Sequence, residues 1–418
     1  MAKSKAASSE KDGALKGGAF LPFAEFVTII ALMMGLTAFS IDNLLPAFPQ
    51  MRDHFGLENA NDIQITIYAY LIGFGAAQIV YGPLSDVYGR RPLLAAGLAI
   101  YIAGGLLALF TDDFFWLIVA RVVQGIGSAS PRVLSVAIVR DRFAGRDMAR
   151  IMSFAMMVFL TVPIIAPALG SLALAFGPWH LIFIFMLALA VLLWVWFGLR
   201  MPETLHPEYR QPLSVHAIAQ GIRLTISNRR AAGYSTAIGF MVACLMTYVG
   251  TSSQLFEDVY HLGHWFPLVF ALVASVMALA SFTNAMLVRH VGMRRLSHGG
   301  LVGFIIMAAL MALVALLWEG RPPLLLFVGL VAVTQFLFSL TAPNFNSMAM
   351  EPLGAIAGTA SSFIGCYTTL LSAILAMIAG QAFDGTVLPL SLSYLVMGLA
   401  ALVSALWAEN WRLFGHQD

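Results

Sequence analysis

The sequence predicts an all-α membrane protein of twelve transmembrane helices, arranged as two pseudo-symmetric six-helix bundles. Three observations predict it. Of 418 residues about 60% are hydrophobic, and only 23 are Lys or Arg and 21 Asp or Glu, whereas a soluble domain carries about a quarter charged residues. Apolar runs of roughly 20 residues, enough to cross a hydrocarbon core of about 30 Å, recur along the whole chain. One long polar stretch, from Arg200 to Arg230, divides these runs six and six.

The runs lie at 23–45, 62–84, 92–110, 113–139, 149–173, 179–199, 231–256, 265–289, 297–318, 322–347, 355–380 and 388–408. Each is continuously apolar. Barrel strands of about ten residues would alternate inward and outward, so the runs read as helices. The polar tail 1–22 has no cleavable apolar core, which makes the first helix the expected insertion signal. With residue 1 inside, nineteen Lys and Arg fall in inside segments and only Arg52 and Arg321 in outside loops. Positive charge is retained on the cytoplasmic side, so both termini (1–22 and 409–418) are expected there. The linker 200–230 carries Val215, Ile218, Ile222 and Ile226 at helical spacing and reads as an amphipathic helix on the cytoplasmic face between bundles 23–199 and 231–408.

Several function classes are excluded or disfavoured. No lysine follows Lys16, so neither a phosphate-cradling G-x-x-x-x-G-K-[ST] loop nor a Schiff-base lysine is encoded beyond the tail. The expectation is no enzyme, no cofactor and no metal site, since neither an H-E-x-x-H nor a C-x-x-C pair occurs. Cys244 and Cys366 sit in separate apolar runs and suggest no disulfide. A net charge of +2 says nothing of nucleic acid. No pore loop or selectivity ring suggests a channel. The two halves, however, echo each other. Gly82-Pro-Leu-Ser-Asp86-Val-Tyr-Gly89-Arg90-Arg91 corresponds to Ala285-Met-Leu-Val-Arg289-His-Val-Gly292-Met293-Arg294, and Ser130-Pro131-Arg132 to Ala342-Pro343-Asn344. Paired six-helix halves with a site between them are how many secondary transporters are built.

Gly82-x-x-x-Asp86-x-x-Gly89-Arg90-Arg91 resembles the signature loop of the major facilitator superfamily. Further segments resemble its Bcr/CflA-type drug:proton antiporters: Ser40-Ile-Asp42 through Pro49, Gln78 through Pro83, Arg121-x-x-Gln124-Gly125, Ala166-Pro167-x-x-Gly170, Asn284 with Arg289 and Gly292, Pro343-Asn344, Ala357 through Ser361, and Asp384-Gly385-Thr386. They run in order from residue 40 to 386 and span both halves. Val87 departs from the basic residue usual after the signature Asp, and Ala166 and Ser171 stand at glycine positions of the helix-5 pattern.

The resemblance implies a proton-coupled exporter of amphipathic drugs or small metabolites in the bacterial inner membrane. The alternative is a proton-coupled importer of a small metabolite or siderophore with the same fold. Protons are the coupling ion, the other partners are the small-molecule substrate and membrane lipid, and a monomer is expected. It further implies a cytoplasmic latch of Gly82, Asp86, Gly89, Arg90 and Arg91, proton coupling at Asp42 assisted by Arg121, and a bent helix at Pro163, Pro167 and Gly170.

The residues themselves are consistent with these roles and with blander ones. Asp42 lies near the outer end of the first helix, where a carboxylate opposes the helix dipole and burial costs about 2.5–3.5 kcal/mol on insertion scales; it is otherwise a hydrated rim residue. Arg121 lies eight residues into the fourth helix, counted from Asp113; it is expected to pair with Asp42 in at least one state, or else to snorkel. Arg132, about 16 Å nearer the cytoplasm, either faces a water-filled cavity and binds an anionic group or bonds to carbonyls freed by Pro131. The prolines are equally an ordinary kink. Tyr68, Tyr70, Gln78, Gln124, Tyr248, Gln254, Asn284 and Asn344 complete the candidate substrate set, whose aromatic character suits an amphipathic ligand better than a sugar.

Overall fold

The computed structural model describes residues 21–210 and 214–414, and every regular element in them is helical. Twelve helices are long and apolar enough to cross a bilayer. They are α1 Phe23–Asp42, α2 Ile65–Tyr88, α3 Arg90–Phe110, α4 Phe114–Arg142, α5 Gly145–Phe176, α6 His180–Arg200, α7 Arg229–Gln254, α8 Phe266–Val291, α9 Met293–Leu317, α10 Leu324–Met350, α11 Ala357–Gln381 and α12 Leu388–Ala408. The all-α, twelve-helix class is thus borne out. In hydrocarbon each backbone donor needs an internal partner, which a helix supplies to every residue but its ends. The ends are met locally: Asp113 Oδ1 accepts from Phe115 N at 2.7 Å to open α4, and Asn228 Oδ1 from Ala231 N at 3.1 Å to open α7. Large side chains such as Leu172, Phe176 and Leu325 remain exposed, as lipid-facing residues do.

Within the first half α2 packs on α4, α3 on α4 and α6, and α1 on α4, α5 and α6; each pair recurs six helices later, as α8 on α10, α9 on α10 and α12, and α7 on α10, α11 and α12. The internal echo in the sequence therefore corresponds to a repeated packing scheme. Between halves the main contacts are α2 with α11 and α5 with α8, which the same repeat exchanges. Gly89 (φ +99°) joins α2 to α3, and Gly292 (φ +86°) joins α8 to α9. Both occupy the left-handed region where a Cβ is strained, which accounts for glycine at the two equivalent turns.

The loops at Gly89, 143–144, Gly292 and after α12 share one end of the bundle with the linker, here termed the arginine-rich face. The linker helix Val215–Ser227 lies against α11, with Gly221 and Thr225 buried but Val215 and Ile226 exposed. The stripe expected from Val215, Ile218, Ile222 and Ile226 is thus rotated, because the smaller Gly221 allows closer approach to Thr359. Most of tail 1–22, with its four lysines, and residues 415–418 lie outside the described residues, as does Pro212. One boundary matters for the site: α2 runs to Tyr88, so Asp86 lies in its last turn and not in a loop.

Candidate functional site

Arg121 of α4 is completely buried. Its Nε donates to Thr66 O at 3.1 Å, Nη1 to Gln124 Oε1 at 2.9 Å and Nη2 to Ser40 O at 2.9 Å, and its guanidinium lies 4.6 Å from the centre of the Tyr70 ring. Ser40 Oγ and Tyr101 OH meet at 2.6 Å beside it. Three helices, α1, α2 and α4, are thereby tied through one cation, whose charge-assisted bonds offset the cost of burial.

Asp42 is the only acidic residue that is buried among the described residues. The expected ion pair with Arg121 is absent in this conformation. Along a helix two residues turn by about 200°, so Ser40 faces α3 and α4 while Asp42 faces α7, within electrostatic reach of Tyr248. Arg121 reaches the backbone of α1 and not its carboxylate. Gly170 of α5 sets the position of this helix end: a Cβ there would stand 2.2 Å from Asn43 O. Pro163 and Pro167 lie inside α5, which continues helical through both.

The two halves are joined by polar side chains at the face opposite the arginine-rich one. Asn61 Nδ2 donates to Gln381 O at 3.1 Å and Phe383 O at 2.8 Å, Gln254 Nε2 donates to Asn61 Oδ1 at 2.9 Å, and Gln381 Nε2 to Asn61 O at 3.0 Å. Gln64 bonds Gln254, and Arg52 pairs with Asp258 at 3.2 Å. This layer closes one end of the interface. At the other end a cavity of about 950 Å³ lies between the halves, from Phe74 and Thr369 at mid-helix to Asp86 and Arg140 at the arginine-rich face. Gln78 and Arg132 line it. Gln78 Nε2 donates to Thr369 Oγ1 of α11 at 3.1 Å. Arg132 lies 5.6 Å from the Phe159 ring centre and has no acidic partner among the described residues.

The turn at Gly89 is a network. Arg90 donates to Asp86 Oδ1 at 2.6 Å, to Ser85 Oγ at 2.5 Å and to Asp141 at 2.8 Å, and Arg91 to Gly198 O at 2.5 Å. Glu203 accepts from the backbone of Arg90 at 2.9 Å and of Arg91 at 3.1 Å, capping α3. All these partners belong to the first half or the segment just after it. In this conformation Asp86 and Arg90 therefore brace one bundle; the cross-half contact here is Gly82, where a Cβ would meet Ser362 Oγ at 2.8 Å.

Of the other candidate substrate residues, none besides Gln78 and Arg132 lines the cavity. Tyr70 and Gln124 serve Arg121; Gln254 belongs to the closed end, and Tyr68 lies beside it, 3.4 Å from Gln64 Oε1. Tyr248 stacks on Phe270 at 5.7 Å, and Asn344 Nδ2 bonds Asn284 Oδ1 at 2.7 Å. Sequence reasoning missed Asn61, Gln64, Gln381, Asp141 and Glu203. A weak signal existed for Glu203, a carboxylate beside Pro202 directly after a spanning run; the others are ordinary polar residues at run ends.

A bicyclomycin resistance protein homolog of Haemophilus influenzae is 27% identical over 390 residues, covering 91% of this chain and 94% of its own. The multidrug resistance protein MdtL of Klebsiella pneumoniae is 28% identical over 368 residues, covering 85% and 90%. A crystal structure of a D-xylose–proton symporter superposes with a TM-score of 0.71 at 16% identity, covering 93% and 98%, which establishes likeness of fold. The Bcr/CflA-type resemblance read from the motifs is borne out by these relatives. The sequence profile of the Major Facilitator Superfamily matches residues 30–377, across both halves and the interface between them, and the chain belongs to that superfamily of membrane transporters.

Proposed function

We propose that the chain exports amphipathic drugs or small metabolites across a bacterial inner membrane in exchange for protons, by alternating access, with the arginine-rich face and both termini in the cytoplasm. The observation that carries this reading is the asymmetry of the interface. A cavity of about 950 Å³ reaches the arginine-rich face, while the opposite end is closed by the Asn61 layer and holds the buried Asp42. A substrate enters from the cytoplasm between Phe74, Gln78 and Arg132, with apolar walls taking its body and the guanidinium a polar or anionic group. Rearrangement then opens the Asn61 layer and exposes Asp42 to the outside, where it takes up a proton. Arg121 holds the end of α1 in register while this occurs. The names of the relatives, which concern resistance to bicyclomycin and to multiple drugs, support export.

The test is proton movement in proteoliposomes of the purified protein under an imposed pH gradient, with drugs added singly. Drug-triggered proton flux is expected. Substrate movement that never alters internal pH refutes proton coupling, and uptake driven down the proton gradient in the same direction as the protons refutes export.

A further inference from the structure

We propose that His54, Asp112 and His180 form a binding site for one first-row divalent transition ion, such as Zn²⁺, on the face opposite the arginine-rich one. The three donors come from separate connections of the first half: the end of the short helix Phe48–His54, the turn between α3 and α4, and the first residue of α6. Their ligand atoms all lie within 4.8 Å of one another, and His54 Nε2 is 3.4 Å from Asp112 Oδ1. A tetrahedral ion with bonds of about 2.0–2.1 Å has ligand–ligand edges of roughly 3.3–3.4 Å. One edge already has that length, and the others close by side-chain rotation of about 1 Å or a little more. Two imidazole nitrogens and one carboxylate oxygen suit zinc and its neighbours, whereas calcium and magnesium take oxygen ligands. Three protein ligands leave the remaining position to water, in keeping with the exposure of His54 and Asp112.

The rings are already oriented by their neighbours. Trp179 stacks on His180 with centroids 3.8 Å apart and meets His54 at 5.4 Å, and Phe55 stands edge-on to His54 at 4.8 Å. Restricting both imidazoles before binding lowers its entropic cost. A plain His54–Asp112 ion pair explains only two of the three residues. It leaves a second imidazole, 5.6 Å from the first, without a role, which an ion shared by both rings supplies. The short helix ending in His54 also carries Arg52, which bonds Asp258 across the closed end. An ion at His54 therefore anchors the first-half rim of that closure to α6.

The full chain, purified without a polyhistidine tag, is titrated with ZnCl₂ by calorimetry at about pH 7.5, where imidazole is largely neutral, and its thermal unfolding is followed in parallel. One Zn²⁺ per chain is expected, with a raised unfolding temperature that EDTA reverses and Mg²⁺ does not reproduce. His54→Ala and His180→Ala each weaken binding by about tenfold or more, while His264→Ala, at an exposed histidine elsewhere, does not. If a histidine variant fails to fold, Asp112→Asn must still weaken binding. Absence of saturable Zn²⁺ binding to the parent chain overturns the proposal, as does unchanged affinity in the folded site variants.

Discussion

Replacing Asn61 with Ala tests whether the polar layer holds one end of the transporter shut. The substitution removes three side-chain hydrogen bonds between halves, at 3.1, 2.8 and 2.9 Å, and leaves the bond from Gln381 to the Asn61 carbonyl. Each such bond is worth about 0.5–1.5 kcal/mol net, so the closed arrangement loses roughly 1.5–4.5 kcal/mol. When the halves part on this face the same groups meet water, and the open arrangement loses little. At about 1.4 kcal/mol per factor of ten the ratio of the two conformations should move by roughly one to three orders of magnitude toward opening. Spin labels at Glu58 and His261, exposed residues of the two halves at this end, report the separation by double electron–electron resonance, with Cys244 and Cys366 replaced by Ala. A longer-distance population should appear or grow. A distribution unchanged within about threefold, in a protein that remains folded, would refute the assignment of closure to these bonds.

Four further outcomes are expected. Asp42→Asn should abolish drug-triggered proton flux without unfolding the protein; coupled transport at the parent rate would remove Asp42 from the proton path. Arg121→Met removes the bonds to Ser40 O, Thr66 O and Gln124 Oε1, each worth about 1.5–3 kcal/mol as a hydrogen bond from a charged group, so thermal stability in detergent should fall sharply, and an unchanged midpoint contradicts the bracing role. Arg132→Ala should alter the range of substrates more than proton coupling, measured as flux ratios over a drug panel; equal loss for every compound together with loss of coupling rejects that division. Glu203→Ala removes the cap on α3 and should cost about 0.5–2 kcal/mol, read as a lower unfolding midpoint with substrate range unaltered.

The sequence carried the bilayer architecture because hydrophobic run length and the scarcity of charge are one-dimensional properties. The same holds for the internal repeat, which matching glycines at 89 and 292 announce, and for the importance of Arg121, since an arginine deep in an apolar run needs a compensating environment. The partner it finds was not legible. Asp42 is the nearest acid by depth, but helix rotation turns it toward α7 and offers Arg121 the carbonyl of Ser40 instead.

Depth along a helix can be counted from a sequence, whereas azimuth around a bundle depends on how neighbouring helices pack. That distinction also separates Gln78 and Arg132, which line the cavity, from Tyr68, Tyr248, Asn284 and Asn344, which do not. By itself the sequence determined the number of crossings, the two halves, the family and the few buried charges. Tertiary structure alone decided which end of the interface is closed, through Asn61, Gln64, Gln254 and Gln381, and it alone brought His54, Asp112 and His180 together. The reason is physical: hydrogen bonds and ligand sets form between residues far apart in the chain, and their geometry exists only once the bundle has packed.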